Sequence, residues 1–413
     1  MKRRDFIGSL IASSCLAGCT GGNRLPDSIG VVDTLEKRTV YMNDMLKRLC
    51  TDIGPHPCGS PEYDIAADIV KREMERGLPH VEYDTLTYDR WVLLNEPYFF
   101  IGDREMETFP AHGAGGTPPE GVRGILKNSE LQNTPYAVVD PVSGSVLARV
   151  AIAEVWAVAG IAVARPWYRY YEEPGGTPVF NVGKPDIPVL DEAVEKGTPV
   201  RMNAQVEFIP GTETSNVVGT IPGESKDEII LYAHLDTVYN SEGANDNTGS
   251  VIMLLMLAHA FSGKTHPKTL TFMATTGEEY GYLGTKQYAA RRKDEGTLCN
   301  IRFIMNFDSV TWGPNMSIIT KDKDIMDELT AIDAELGLDG APTWTESDGL
   351  GRETAPFRDA GVQARGIVID SGGLDHNYVW HRPSDTVETV PIECAEICFQ
   401  LFREYLGRLL KES

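Results

Sequence analysis

From Thr214 onward the chain alternates short apolar runs with helical stretches, and the apolar runs keep ending in acidic residues or histidines. Residues 229–233 lead into His234-Leu235-Asp236, and residues 269–276 into Gly277-Glu278-Glu279. Residues 301–307 end at Asp308, and residues 367–369 lead to a loop holding His376 and His381. Between the first two runs, the polar turn at 243–249 carries Asp246 and opens an apolar helix over 249–261. A last helix, 391–411, gathers Cys394, Ile397, Cys398, Leu401, Phe402, Tyr405 and Leu409 on one face. Strands alternating with helices predict an α/β fold: a mixed, mostly parallel central sheet with helices on both faces. In such sheets ligands gather beyond the carboxyl ends of the strands. That is where these polar residues fall.

Upstream, residues 33–50 read as an amphipathic helix. A second helix follows with Ser60 as N-cap and Pro61 at its first position, running to about Arg76. Residues 81–86 alternate like a strand. From 91 to 206 the texture changes: Gly and Pro are frequent and strands look short, while residues 151–164 read as an Ala-rich helix followed by a buried strand. This stretch is expected to be an inserted, smaller α+β domain of about 115 residues, a common domain size. The main domain is then assembled from 33–90 and 207–413. A chain of 413 residues is long for one core, which agrees with two units.

Asp and Glu outnumber Lys and Arg, 60 to 38, for a formal charge of −22. An acidic surface repels phosphate backbones and argues against nucleic acid as a partner. Residues 1–18 form a basic start followed by an apolar run too short to span a bilayer. The sequence Leu16-Ala17-Gly18-Cys19 resembles a bacterial lipoprotein cleavage box, and Arg3-Arg4-Asp5-Phe6-Ile7 resembles a twin-arginine export signal. The expectation is export to the cell envelope, a lipid on Cys19 anchoring the chain to a membrane, and a tether over 19–32. The cysteines beyond Cys19 number five, which argues against a full disulfide framework. Cys50 and Cys58 flank one turn and can pair in an oxidising compartment; Cys394 and Cys398 read as core thiols. His259 lies inside the apolar helix and reads as a hydrogen-bonded core histidine. His56, His80, His112 and His266 read as loop or surface residues.

Singly, each polar residue at a strand end is weak: Asp246 alone would be a turn residue, and a Glu-Glu pair a solvated surface. Together they offer two imidazoles and three carboxylates to one edge, a donor set that suits zinc. Their order and context resemble the co-catalytic di-zinc aminopeptidase family, which also contains glutamate carboxypeptidases and, more distantly, glutaminyl cyclases. The matching pieces are Ala233-His234-Leu235-Asp236, Gly243-Ala244-Asn245-Asp246-Asn247-Thr248-Gly249, Gly277-Glu278-Glu279-Tyr280-Gly281, Asn306-Phe307-Asp308 and His381-Arg382-Pro383-Ser384-Asp385-Thr386. Ser347-Asp348 and Ala355-Pro356-Phe357 add a segment with an unusual spacer. The resemblance spans about 214–413 and the N-terminal helices around 54–67. Residues 148–166 resemble the protease-associated domain found within several relatives; a local β insertion of another type stays open.

The resemblance implies two zinc ions per chain. Asp246 would bridge them, with His234 and Asp308 completing one site and Glu279 and His381 the other. Asp236 would accept the His234 imidazole N–H. Glu278 would be the general base toward a water held between the metals. His381 fits the His-x-Pro-x-Asp-Thr pattern and is preferred to His376. Trp380 stands where many relatives have Tyr, which makes Tyr378 a substitute candidate for the oxyanion. The implied activity is exopeptidase action on peptides, most readily from the N-terminus. Carboxypeptidase or dipeptidase action stays open, since Arg352, Arg358 or Arg365 could bind a carboxylate, as does glutaminyl cyclase-type acyl transfer.

Overall fold

A computed structural model describes residues 30–152, 161–165, 176–311, 316–340, 342–371 and 379–411. The chain begins with α1 (Leu35–Leu46) and α2 (Pro61–Glu75), then β1 (His80–Leu93). A run of short strands follows: β2 (Tyr98–Ile101), β3 (Arg104–Glu105), β4 (Thr108–Pro110), β5 (Val122–Asn128), β6 (Tyr136–Val139), β7 (Val146–Ile152) and β8 (Val179–Val182). Next come α3 (Ile187–Lys196), β9 (Pro199–Asn203), β10 (Val206–Ile221), β11 (Glu228–His234), α4 (Gly249–Phe261), β12 (Thr269–Thr275) and α5 (Leu283–Asp294). The chain closes with β13 (Ile301–Phe307), β14 (Met316–Thr320), α6 (Lys323–Leu336), β15 (Thr343–Glu346), α7 (Ala355–Ala360), β16 (Arg365–Ser371) and α8 (Ile392–Leu409).

Two sheets result. The first has the order β1-β10-β12-β11-β13-β16-β14-β15, and the second β3-β2-β9-β5-β6-β7-β8-β4. At the centre of the first sheet β12, β11, β13 and β16 run parallel. The antiparallel pairs β1–β10, β10–β12 and β16–β14 flank them. This is a mixed sheet with a parallel core. The chain leaves it at the end of β1, where Leu93 faces Val206, and re-enters through β10. The second sheet is built from the residues between those two strands.

Period-two alternation sends side chains to opposite faces of the parallel strands. Ile229, Leu231 and Ala233 of β11 join one core with α1, α2, α4 and α8, while Ile230 and Tyr232 join another with Tyr288 of α5 and Phe357 of α7. Helices thus cover both faces. Helix α4 is apolar all round because it has no solvent face: all its residues but one are buried. Each fully buried Leu or Ile there contributes roughly 1.5–3 kcal/mol. Helix α2 starts as its sequence dictates: the Tyr63 N–H donates to Ser60 Oγ at 3.0 Å, and Pro61 occupies the first turn.

In the second sheet the first two residues expected in a helix belong to a strand, and most of that expected helix lies outside the described residues. A helix was expected from residue 151, yet β7 runs through Ile152 and pairs with β6 and β8. Alanine's helix preference is a weak prior, and two strand neighbours override it. Residues 153–160 lie outside the described residues.

Candidate metal centre

Strands β11, β12 and β13 are parallel neighbours, so their carboxyl ends reach one edge together. β11 ends on His234 itself; Glu278 and Glu279 follow β12 after the turn at Gly277, and Asp308 follows β13. Gly277 has φ 66°, and a Cβ there would lie 2.8 Å from Leu283, so this turn requires glycine. Asp246 comes from the turn ahead of α4, and His381 from the loop ahead of α8.

Asp246 lies at the middle of the cluster and uses both carboxylate oxygens. Oδ1 is 3.1 Å from His234 Nε2, and Oδ2 is 3.2 Å from His381 Nε2. On one side Asp308 Oδ1 approaches His234 Nε2 at 3.8 Å. On the other, Glu279 Oε1 stands 2.9 Å from His381 Nε2. His234, Asp246 and Asp308 therefore make one trio of ligand-type atoms and Asp246, Glu279 and His381 a second, each within 4.8 Å. Glu278 Oε2 lies 4.0 Å from His234 Nε2, at the edge of the first trio.

The electrostatics fit cations. Burial alone would push both imidazoles toward neutrality, but the surrounding carboxylates outweigh it: His234 is raised well above the usual histidine value and His381 to about 9. Burial likewise works against the Asp246 carboxylate, yet its bonds to His234 and His381 hold it well below the usual range. Burial, reinforced by Glu279, Glu353 and Asp308, raises Glu278. Four carboxyl groups facing two imidazoles leave an excess of buried negative charge, which divalent cations would offset.

All five residues expected as ligands, and Glu278, are brought together. The role expected for the Asp236 carboxylate is corrected. His234 Nδ1 lies 2.9 Å from the backbone carbonyl of Asp236, while the nearer carboxylate oxygen is 3.8 Å away. A carbonyl can only accept, so Nδ1 carries the hydrogen and Nε2 is free to bind a metal. The Asp236 carboxylate instead accepts the backbone N–H groups of Glu278 and Glu279 at 3.1 and 3.3 Å.

Of the histidines expected in loops or at the surface, His56 and His266 lie in loops and His80 is exposed, but His56, His112 and His266 are buried. His56 is fully buried: its Nδ1 meets the Gly54 carbonyl at 2.8 Å and its N–H donates to Thr237 Oγ1, one residue past Asp236. Burial lowers its pKa to about 4. His112 is buried against Tyr280, with ring centroids 3.9 Å apart, and His266 is buried with Nε2 2.8 Å from the Phe261 carbonyl. His259 is buried as expected, but neither ring nitrogen has a hydrogen-bond partner among the described residues. Cys50 and Cys58 are free, buried thiols, and Thr276 Oγ1 donates to Cys58 Sγ at 3.3 Å. Trp380 stacks on His381 with centroids 3.9 Å apart. Tyr378, His376 and Cys19 lie outside the described residues.

Sequence reasoning missed Asp385, although it quoted the motif that contains it. Its carboxylate accepts the backbone N–H groups of Asn245 and Asp246. The signal was an acidic residue at fixed spacing from His381.

Fold and cluster together define an α/β protein with a candidate metal centre at the carboxyl ends of its parallel strands. Residues 216–406 match the profile of peptidase family M28. It is 22% identical over 231 residues to the aminopeptidase YwaD of Bacillus subtilis, covering 52% of this chain and 50% of that protein. It is 26% identical over 295 residues to the probable lipoprotein aminopeptidase LpqL of Mycobacterium tuberculosis, covering 66% of this chain and 58% of the other. The chain thus spans about half the length of the curated relatives it matches. Among solved structures, BSAP, a zinc aminopeptidase from Bacillus subtilis, shares the fold with a TM-score of 0.64 at 18% identity, over 91% of this chain and 95% of that one.

Proposed function

We propose that this chain is a zinc-dependent exopeptidase that removes residues from the N-terminus of peptides. The observation that carries the proposal is the Asp246 carboxylate, whose two oxygens face two separate trios of ligand-type atoms. His234 and Asp308 would hold one zinc, Glu279 and His381 the other, and Asp246 would serve both. When bound, the pair supplies Lewis acidity toward the scissile carbonyl and brings the pKa of the attacking water toward neutrality.

The rest is done by side chains of the chain. Glu278 stands 4.0 Å from His234 Nε2 and makes a further trio of ligand-type atoms with His234 and Glu279. It takes the proton of the attacking water and returns it to the leaving amine. Burial and the neighbouring carboxylates raise its pKa, the direction that makes a carboxylate a better proton acceptor. Asp236 fixes the backbone of Glu278 and Glu279 together, so base and ligand keep their separate places. The excess of carboxylates favours a substrate presenting an ammonium group, and the relatives YwaD and LpqL are named as aminopeptidases. The portion between residues 91 and 206 acts as a separate domain bordering the site.

The test uses elemental analysis together with N-acetylated and C-amidated forms of one peptide. Two zinc ions per chain and cleavage of the C-amidated form alone are expected. Full-rate cleavage of the N-acetylated form would overturn the aminopeptidase assignment, and a single zinc would favour cyclase-type acyl transfer.

The envelope location is proposed from the lipoprotein-like box at Cys19, and the lipoprotein named among the relatives supports it. No helix of the described residues is long and apolar enough to cross a membrane. Cys19→Ser should release the protein into the soluble fraction; continued membrane association would refute the anchor.

A further inference from the structure

The two imidazoles of the centre are held in different ways. His234 is oriented by the hydrogen bond at its Nδ1. His381 Nδ1 is buried and has no hydrogen-bond partner among the described residues. The backbone of His381 also sits at φ 53°, a left-handed conformation uncommon for residues with a Cβ. Its placement therefore depends on what grips the neighbouring backbone.

That grip comes from the portion of the chain that builds the second sheet. The Ala164 N–H donates to the His381 carbonyl at 3.0 Å. The next residue, Arg382, donates from Nη1 to the Ala162 carbonyl at 3.1 Å and places Nη2 2.7 Å from Glu107 Oε1. One planar guanidinium thus bridges two segments of that portion, a geometry lysine cannot reproduce. The same segment bears on Glu279 from the other direction. The His112 N–H donates to the Arg165 carbonyl at 3.2 Å, and the His112 ring packs on Tyr280, adjacent to Glu279. By contrast, His234 and Asp308 are held by the first sheet, through the Asp236 carbonyl and a bond from the Asp308 N–H to the Ile369 carbonyl at 2.8 Å.

We propose that Arg382 is a positioning residue for the metal ligand His381, and that through Glu107 and residues 161–165 the second-sheet portion sets the metal affinity of the Asp246–Glu279–His381 site alone. The inference rests on the two-zinc reading given above. It makes the second-sheet portion part of the metal centre's support rather than only a border to the cleft.

The test is zinc binding by the full chain against a competing chelator, resolving both affinities, for the unmodified protein, Arg382→Ala, Arg382→Lys and Glu107→Gln. Arg382→Ala should weaken one zinc by on the order of ten- to a hundredfold, the usual cost of losing a ligand's outer support, and leave the other unchanged. Arg382→Lys should recover part of the loss. Glu107→Gln, at a half-exposed position, should shift the same site by less. Excess zinc should restore the turnover of Arg382→Ala. Unchanged affinities in all variants, or equal weakening of both sites, would overturn the inference. An unmodified protein binding fewer than two zinc ions would overturn the two-metal reading itself, and this inference with it.

Discussion

The Asp385 carboxylate accepts the backbone N–H of Asp246 at 3.0 Å, so the residue shared by both trios is tied to the loop that carries His381. Its other oxygen accepts the Asn245 N–H at 2.8 Å. Burial raises the Asp385 carboxyl to about 7, against the opposing pull of those two bonds. Asp385→Ala leaves two buried N–H groups without an acceptor, each costing about 1–3 kcal/mol. The variant should be less stable in urea by that order and bind zinc more weakly. Asp385→Asn, which keeps one acceptor oxygen, should fall between. Wild-type stability and zinc affinity in Asp385→Ala would show that the Asp246 turn holds itself.

Glu278→Gln should retain both zinc ions and lose turnover by a hundredfold or more, because the amide keeps the shape and removes only the proton acceptor. Zinc content and kcat measured on the same preparation separate the two effects. Retained turnover would assign the base elsewhere.

Asp236 offers a sharper discrimination. If its carboxylate oriented His234, Asp236→Asn would chiefly weaken zinc. The structure has it accepting from the backbone of Glu278 and Glu279 instead. The asparagine amide can accept only one of those bonds and turns a donor toward the other N–H. The expected outcome is a fall in kcat larger than the fall in zinc affinity, read from turnover at saturating zinc. A loss seen only in metal binding would restore the orienting role to the carboxylate.

How far the sequence carried these conclusions depends on the range of the interaction involved. Strand β13 and helix α4 match the expected 301–307 and 249–261 because both are set by local patterns of apolar residues. The ligands were legible because strand ends in a parallel sheet meet at one edge whatever the loops do. Asp236 was misread because a spacing of two suggests contact with the ring, whereas the chain turns after β11 and brings up the backbone carbonyl instead. His56 and His112 carry no local pattern: their burial comes from Thr237 and Tyr280, far along the chain. The tie from Arg382 to Glu107 and Ala162 spans more than half of the chain, and no periodicity reports such a pairing.

His259 gives a test of stability against pH, away from the metal centre. It is buried in α4, its ring packs edge-on against Tyr41, and the charges acting on it are those of Glu73 and Arg76. Burial lowers its pKa from the ordinary 6.5 to about 4. The unfolded chain therefore binds a proton between those values while the folded protein does not. Stability is full above pH 6.5 and declines as the pH falls toward 4. At about 1.4 kcal/mol per pKa unit, this one residue contributes a decline on the order of 3 kcal/mol across that window. His56 and His112 add slopes of the same sign, so the informative quantity is a difference. In metal-free protein, the stability of His259→Leu relative to the unmodified chain, from urea unfolding at several pH values, should improve steadily from pH 6.5 down to 4. Parallel curves across that range would mean that His259 binds its proton equally well in the folded and unfolded protein.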